Sequence, residues 1–207
     1  MIAELIERYP SLEASGADIE CALGVMIEAY EKGGKLLLCG NGGSAADCDH
    51  IAGELLKGFM SKRPLAEEKK AEMRRLCPDL SESTLASLQS GLPAIALHSA
   101  AAYNTAYSND VSAELVYAQA VLSLGKAGDV LLAISTSGNS KNVIRACEVA
   151  RALGIKVVGL TGESGGKLKA VADVCICAPE AETYKVQEKH LPIYHYLCRE
   201  IEKHFFG

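Results

Sequence analysis

Five short apolar runs, most of them closed by a Gly- or Ser-bearing turn and followed by a helical pattern, constrain this chain more than any other feature. They cover residues 35–39, 93–97, 130–135, 156–160 and 174–177. Strands separated by helices pair in parallel, because a parallel neighbour needs a crossover and the crossover lays a helix on the sheet face. The expected class is therefore α/β, a parallel sheet covered on both faces. Ahead of the first strand, the apolar spacing of Leu5, Ile6, Tyr9 and Leu12, then Ile19, Leu23, Met26 and Tyr30, predicts N-terminal helices over 1–32 with a break near Ser15-Gly16. Residues 61–91 interrupt the alternation and read as a helical insertion. Its charges, Lys62, Arg63, Glu67, Glu68, Lys69, Lys70, Glu72, Arg74 and Arg75, are assigned to a solvated face, and Leu65, Met73, Leu76, Leu85 and Leu88 are its candidate buried positions.

At 207 residues the chain suits one domain over 1–207, and 49% hydrophobic against 23% charged residues suffices for a sizeable core. The formal charge of -5 disfavours a nucleic-acid partner. No apolar run reaches the roughly 18–20 residues of a membrane helix, and Glu4, Glu7 and Arg8 break up a signal-peptide core, so a cytoplasmic protein with no membrane partner is expected. The eight cysteines contain no C-x-x-C pair and most lie in apolar segments, which reads as reduced, buried thiols.

The first strand runs into Gly40-Asn41-Gly42-Gly43-Ser44 and then a helical pattern from Ala45 to Leu56. Glycines there let a ligand approach the backbone, and a helix start offers unpaired N–H groups to an anion. A tight turn with Ser44 as N-cap and Asp47 completing a capping box is the alternative. The third strand ends in Ser135-Thr136-Ser137-Gly138-Asn139-Ser140, again before a helix, with more hydroxyls than one N-cap requires. In a doubly wound sheet of order 2-1-3-4-5, strands 1 and 3 are neighbours, so both loops meet at the switch point where ligands bind. Neither a Walker motif nor G-x-G-x-x-G occurs, which points to a phosphate monoester and to no nucleotide or redox cofactor.

His50 and Glu54, spaced i, i+4, share a helix face, and a carboxylate there can take a proton from a carbon beside a carbonyl. Near the C-terminus Gln187, His190, Tyr194, Cys198 and Phe205 form a helical stripe with His195 at its margin, and Pro192 is expected to kink or restart the helix. The spacing alone does not choose between His190 and His195. His50, Glu54, Gln187 and His195 also make a candidate divalent-metal set of N and O ligands.

The segments GNGGSAADCDHIAGEL, ISTSGNSKNVI and VQEKHLPIYHYL resemble sugar isomerase (SIS) domain proteins, and within them the phosphoheptose isomerases. The resemblance spans nearly the whole chain, with 61–91 as an apparent insertion. It implies a flavodoxin-like, three-layer SIS domain and a homotetramer with active sites at subunit contacts. It implies a substrate loop of Asn41, Gly42, Gly43 and Ser44, a phosphate grip of Ser135, Thr136, Ser137 and Ser140, and sugar contacts from Asn109, Asp110 and Gln187. Glu54 matches the catalytic base and His195 the catalytic acid, while His50, Glu54, Gln187 and His195 align with a zinc (Zn2+) site of some members. The implied activity is isomerisation of sedoheptulose 7-phosphate through an enediol. Two positions depart from the pattern: Gly58, with Lys57 beside it, stands where many members carry Arg, and Tyr184 replaces an acidic residue. The competing readings are an SIS enzyme for another sugar phosphate and a non-catalytic SIS module, similar to the DnaA-binding initiator protein, that binds a phosphosugar or a partner protein. Presence of both Glu54 and His195 favours the enzyme.

Overall fold

Period-two alternation along each strand sends consecutive side chains to opposite sheet faces, and here both faces are buried. The computed structural model describes residues 2–207. Its strands β1 (Leu36–Cys39), β2 (Ala94–Ala96), β3 (Val130–Ser135), β4 (Lys156–Thr161) and β5 (Val174–Cys177) form one parallel sheet of order β2-β1-β3-β4-β5. This is the order expected. Leu37 of β1 registers with Ile95 of β2 on one side and Leu131 of β3 on the other.

The helices are α1 (Ile2–Arg8), α2 (Gly16–Glu31), α3 (Gly43–Leu56), α4 (Glu67–Leu76), α5 (Glu82–Ser87), α6 (Ala101–Tyr107), α7 (Val116–Leu124), α8 (Lys141–Ala152), α9 (Leu168–Val171) and α10 (Thr183–Phe206). One sheet face, through Leu36, Leu38, Leu132, Ile134 and Leu160, packs on Ile19 and Met26 of α2, Ile51 and Leu55 of α3 and Ile193 and Leu197 of α10. The other, through Leu37, Leu131, Ala133 and Val157, packs on Val121 of α7 and Val143, Ala146 and Ala150 of α8. Each fully buried Leu, Ile or Val contributes roughly 1.5–3 kcal/mol.

A repeated device fixes the strand starts, at the end of the sheet opposite the loops that follow β1 and β3. The buried Asp129 carboxylate accepts the Lys35 amide at 3.0 Å, the Lys126 amide at 2.8 Å and the Lys35 ammonium at 2.6 Å. Asp173 likewise takes the Val157 amide and the Lys156 ammonium, each at 2.8 Å. Both supply acceptors that the sheet ladder leaves out at its rim.

The N-terminal break falls where expected, at a 3-10 turn, Pro10–Ser15, after which α2 starts at Gly16. Three other expectations differ from the structure. Pro192 neither ends nor restarts α10, which runs unbroken with Pro192, Ile193, Tyr194 and Leu197 all buried; packing along that face offsets the backbone bond that proline removes. In the insertion only Leu85 is buried among the apolar candidates, Leu76 and Leu88 are exposed, and Arg63, assigned to solvent, is 2% exposed. Of the cysteines, 39, 48, 147 and 198 are buried, whereas Cys21 and Cys77 are exposed.

His190 is a core residue. Its Nε2–H donates to the Thr161 carbonyl at 3.1 Å, and burial pushes its pKa down to about 4 even though that bond acts in the opposite direction. The unfolded ring titrates at its ordinary value, so the unfolded chain binds the extra proton first and stability that is complete above about pH 6.5 is lost as pH falls toward the folded value. Urea unfolding of the wild type should lose about 2–3 kcal/mol more than His190→Gln between about pH 7 and about pH 4.5; equal losses in the two proteins would show that His190 carries none of it.

Candidate active site

Parallel pairing of β1 with β3 puts the loops after both strands side by side. In the first loop Gly42 adopts a positive φ of 56°, and a side chain on Gly43 would collide with the Gln187 amide. The second turns on Gly138, φ 64°. A reciprocal amide pair joins them: Asn41 Nδ2 donates to Asn142 Oδ1 and Asn142 Nδ2 to Asn41 Oδ1, both at 2.9 Å. Tyr117 supports the first loop from below, its hydroxyl donating to the Gly40 carbonyl at 2.6 Å.

Between the loops lies a crevice of about 340 Å³. The first loop contributes Asn41, Gly42, Gly43 and Ser44, the β3 end Ile134, Ser135, Thr136 and Ser140, and α10 Thr183 and Gln187. No Lys or Arg lines it. Three helices begin at its wall, α3 at Gly43, α8 just after Ser140 and α10 at Thr183. Their free N–H groups and positive dipole ends suit an anion. The Ser140 hydroxyl is not spent on capping α8, although Ser140 is its N-cap residue. The Ser140 hydroxyl instead pairs with that of Ser135 at 3.0 Å, and the capping box of Ser44 and Asp47 does not form because α3 starts at Gly43.

A second group lies on the C-terminal half of α3 and the middle of α10. His50 Nε2 stands 3.3 Å from Glu54 Oε1, and Lys57 Nζ 3.0 Å from Glu54 Oε2. The Tyr194 hydroxyl donates to Asp47 at 3.4 Å, which leaves it to accept from His50 Nδ1 at 3.0 Å. Burial pushes the Asp47 carboxyl up, against the opposing Tyr194 bond and His50 charge. The His195 ring lies 5.0 Å from that of His50 and 5.6 Å from that of Phe59. Burial first, and His50 second, hold His195 below the usual histidine value, while Glu54 acts the other way. His195 Nε2 is buried and has no hydrogen-bond partner among the described residues. His195 opens on a separate cavity of about 260 Å³ beside Tyr9, Phe59 and Arg199.

The candidate residues thus fall into two sets within one chain. Asn41, Gly42, Gly43, Ser44, Ser135, Thr136, Ser140 and Gln187 meet at the crevice, and His50, Glu54 and His195 meet at the second group. Gly43 and Glu54 are separated along α3 by 11 residues (54 − 43), about 16 Å of rise. Ser137 and the Asn109–Asp110 pair lie outside both sets. Ser137 is exposed and completes its own turn by accepting the Asn139 amide at 3.2 Å. Asn109 and Asp110 bond each other at 2.9 Å on an exposed π-helical turn, Ser108–Ser112. The metal set is divided too: Gln187 precedes His195 on α10 by 8 residues (195 − 187), about 12 Å of rise, and lies against Gly43. Among the described residues no three His, Cys, Asp or Glu side chains form a group that could hold a metal ion. Within one chain these residues do not fit a zinc ion.

Sequence reasoning missed Asn142, Tyr117 and Thr183, and gave Tyr194 and Asp47 no role at the pair. Asn142 carried a usable signal, since it sits in the first turn of the helix that the hydroxyl-rich loop opens.

The sequence matches the SIS domain family over residues 2–92 and 83–162. It is 41% identical over 181 residues to the phosphoheptose isomerase of Roseiflexus sp. (strain RS-1), covering 87% of this chain and 79% of that protein. The solved phosphoheptose isomerase GmhA of Neisseria gonorrhoeae superposes with a TM-score of 0.76 at 33% identity, over 97% of this chain and 94% of the other. A phosphoheptose isomerase from Francisella tularensis gives 0.78 at 33%, over 95% and 91%. Likeness of this degree along nearly the full length, on a shared sheet, means that the chain belongs to the SIS domain family, in its phosphoheptose isomerase-like branch.

Proposed function

We propose that this protein is an aldose–ketose isomerase for a sugar phosphate, with sedoheptulose 7-phosphate as its substrate. The observation that carries the reading is the crevice at three helix starts, rich in hydroxyls and free of cationic side chains, which suits a phosphate monoester and has no phosphate-chain or dinucleotide motif beside it. The names of the relatives supply the sugar.

In the ketose-to-aldose direction the Glu54 carboxylate takes the proton from C1 while His195 protonates the C2 carbonyl oxygen, giving an enediol. Glu54 then returns its proton to C2, and His195 recovers one from the C1 hydroxyl, leaving the C1 aldehyde. Each such group contributes ~10²–10⁴ in rate, and phosphate binding remote from the reacting carbons holds them in register. Within one chain the crevice and the acid–base pair are three turns of α3 apart, which favours a homotetramer in which one chain's crevice serves a neighbour's Glu54 and His195.

Three outcomes test this. In deuterium oxide the wild type should exchange the C1 proton of sedoheptulose 7-phosphate faster than that of shorter ketose phosphates, and Glu54→Gln should abolish exchange while retaining substrate affinity within about three-fold. Full exchange by Glu54→Gln would remove the base, and substrate binding without exchange in the wild type would leave a binding module. Ser140→Ala should raise KM about 10- to 100-fold with a smaller change in kcat, through loss of a hydrogen bond to a charged group. Tetramers co-expressed from Glu54→Gln and Ser140→Ala chains should regain activity at low substrate concentrations, where Ser140→Ala alone is slow and Glu54→Gln alone inactive; no recovery would mean each site is built from one chain.

A further inference from the structure

Arg63 is the only described non-glycine residue with a positive φ, 43°, and it immediately precedes Pro64. Such a backbone persists only where its surroundings hold it. They do so here: Arg63 Nε donates to Glu202 Oε1 at 2.6 Å, Nη1 to the Leu55 carbonyl at 2.8 Å and Nη2 to the Glu54 carbonyl at 3.0 Å. The guanidinium also sits 4.9 Å from the Phe206 ring centroid. Glu202, 3% exposed, takes three further donors, the amides of Phe59, Met60 and Ser61 at 2.8, 2.7 and 3.2 Å.

The last carbonyls of a helix lack partners within it, and a cation is favoured at that negative end. Arg63 supplies both needs at the end of α3, and what it grips there is the backbone of Glu54 itself. The segment that Glu202 grips bears on the same groups: it follows Lys57, which contacts the Glu54 carboxylate, and it contains Phe59, which faces the His195 ring. Glu202 lies two turns beyond His195 on α10. The insertion leaves and returns at the same place, since the Ser90 amide donates to the Arg63 carbonyl at 2.7 Å and the Gly58 amide to Gln89 Oε1 at 2.9 Å.

We infer that the buried Arg63–Glu202 pair is a positioning device for the reaction, fixing the base on α3 relative to the acid on α10 through one guanidinium and one carboxylate. The inference rests on the isomerase reading. It requires the planar fork of arginine, because lysine keeps the charge but not three directed bonds.

The test compares kcat and KM for sedoheptulose 7-phosphate in the full-length wild type, Arg63→Lys and Glu202→Gln, each assayed well below its own Tm. The control is Asp129→Ala, which removes a buried carboxylate at the opposite sheet edge. Positioning predicts that kcat falls about 10- to 100-fold in Arg63→Lys, as expected for misplacement of about 1 Å, with KM within about three-fold. Asp129→Ala should lower Tm and leave kcat unchanged. Should Arg63→Lys not fold, Glu202→Gln, which keeps side-chain volume and an acceptor oxygen, is held to the same expectation. An active wild type with unchanged kcat in the variants overturns the positioning role alone, as does a kcat loss that Asp129→Ala reproduces. An inactive wild type overturns this inference together with the isomerase reading.

Discussion

Parallel pairing of β1 with β3, strands that are not consecutive in the sheet's chain order, is the constraint from which the rest of the molecule follows. Parallel neighbours cannot be joined by a tight turn, so every connection crosses a face and ends in a helix pointing back along the sheet. Where the winding direction changes, two such helices start on opposite sides of one gap. Here α3 and α8 do so, and α10 adds a third start from further along the chain. The candidate anion site is thus a product of topology before it is a product of side chains.

That origin explains how a protein with net charge -5 presents a candidate anion site without a described lysine or arginine in its wall. Backbone dipoles and hydroxyls carry no net charge, so the crevice needs no counter-ion when empty. The field they make is short-ranged, falling off within the first helical turn. Recognition then depends on contact geometry more than on long-range attraction, in keeping with a ligand held by direct bonds to its phosphate oxygens.

Much of this was legible in the residues because it is local. Strand runs bounded by glycine, the two hydroxyl-bearing loops and the i, i+4 pair of His50 and Glu54 are all encoded within short windows. What escaped is non-local. Arg63 reads as one more charge in a charged segment, and only Glu202, 139 residues away, makes it a buried group. Pro192 reads as a helix breaker, and only packing along α10 overrides it. Ser137 and the Asn109–Asp110 pair carry the right chemistry in the right order, but their loops turn them outward. The choice between His190 and His195 was likewise closed to spacing, since burial against the Thr161 carbonyl separates them and no window of sequence displays it.

The amide pair between Asn41 and Asn142 has a consequence for how such a chain can change over time. Each amide is donor and acceptor to the other, so replacing one removes both bonds between the loops at once and leaves its partner to solvent and to its own neighbours, the Tyr117 hydroxyl at Asn41 and the Val143 amide at Asn142. By this bond two loops encoded 101 positions apart respond to substitution as a coupled pair.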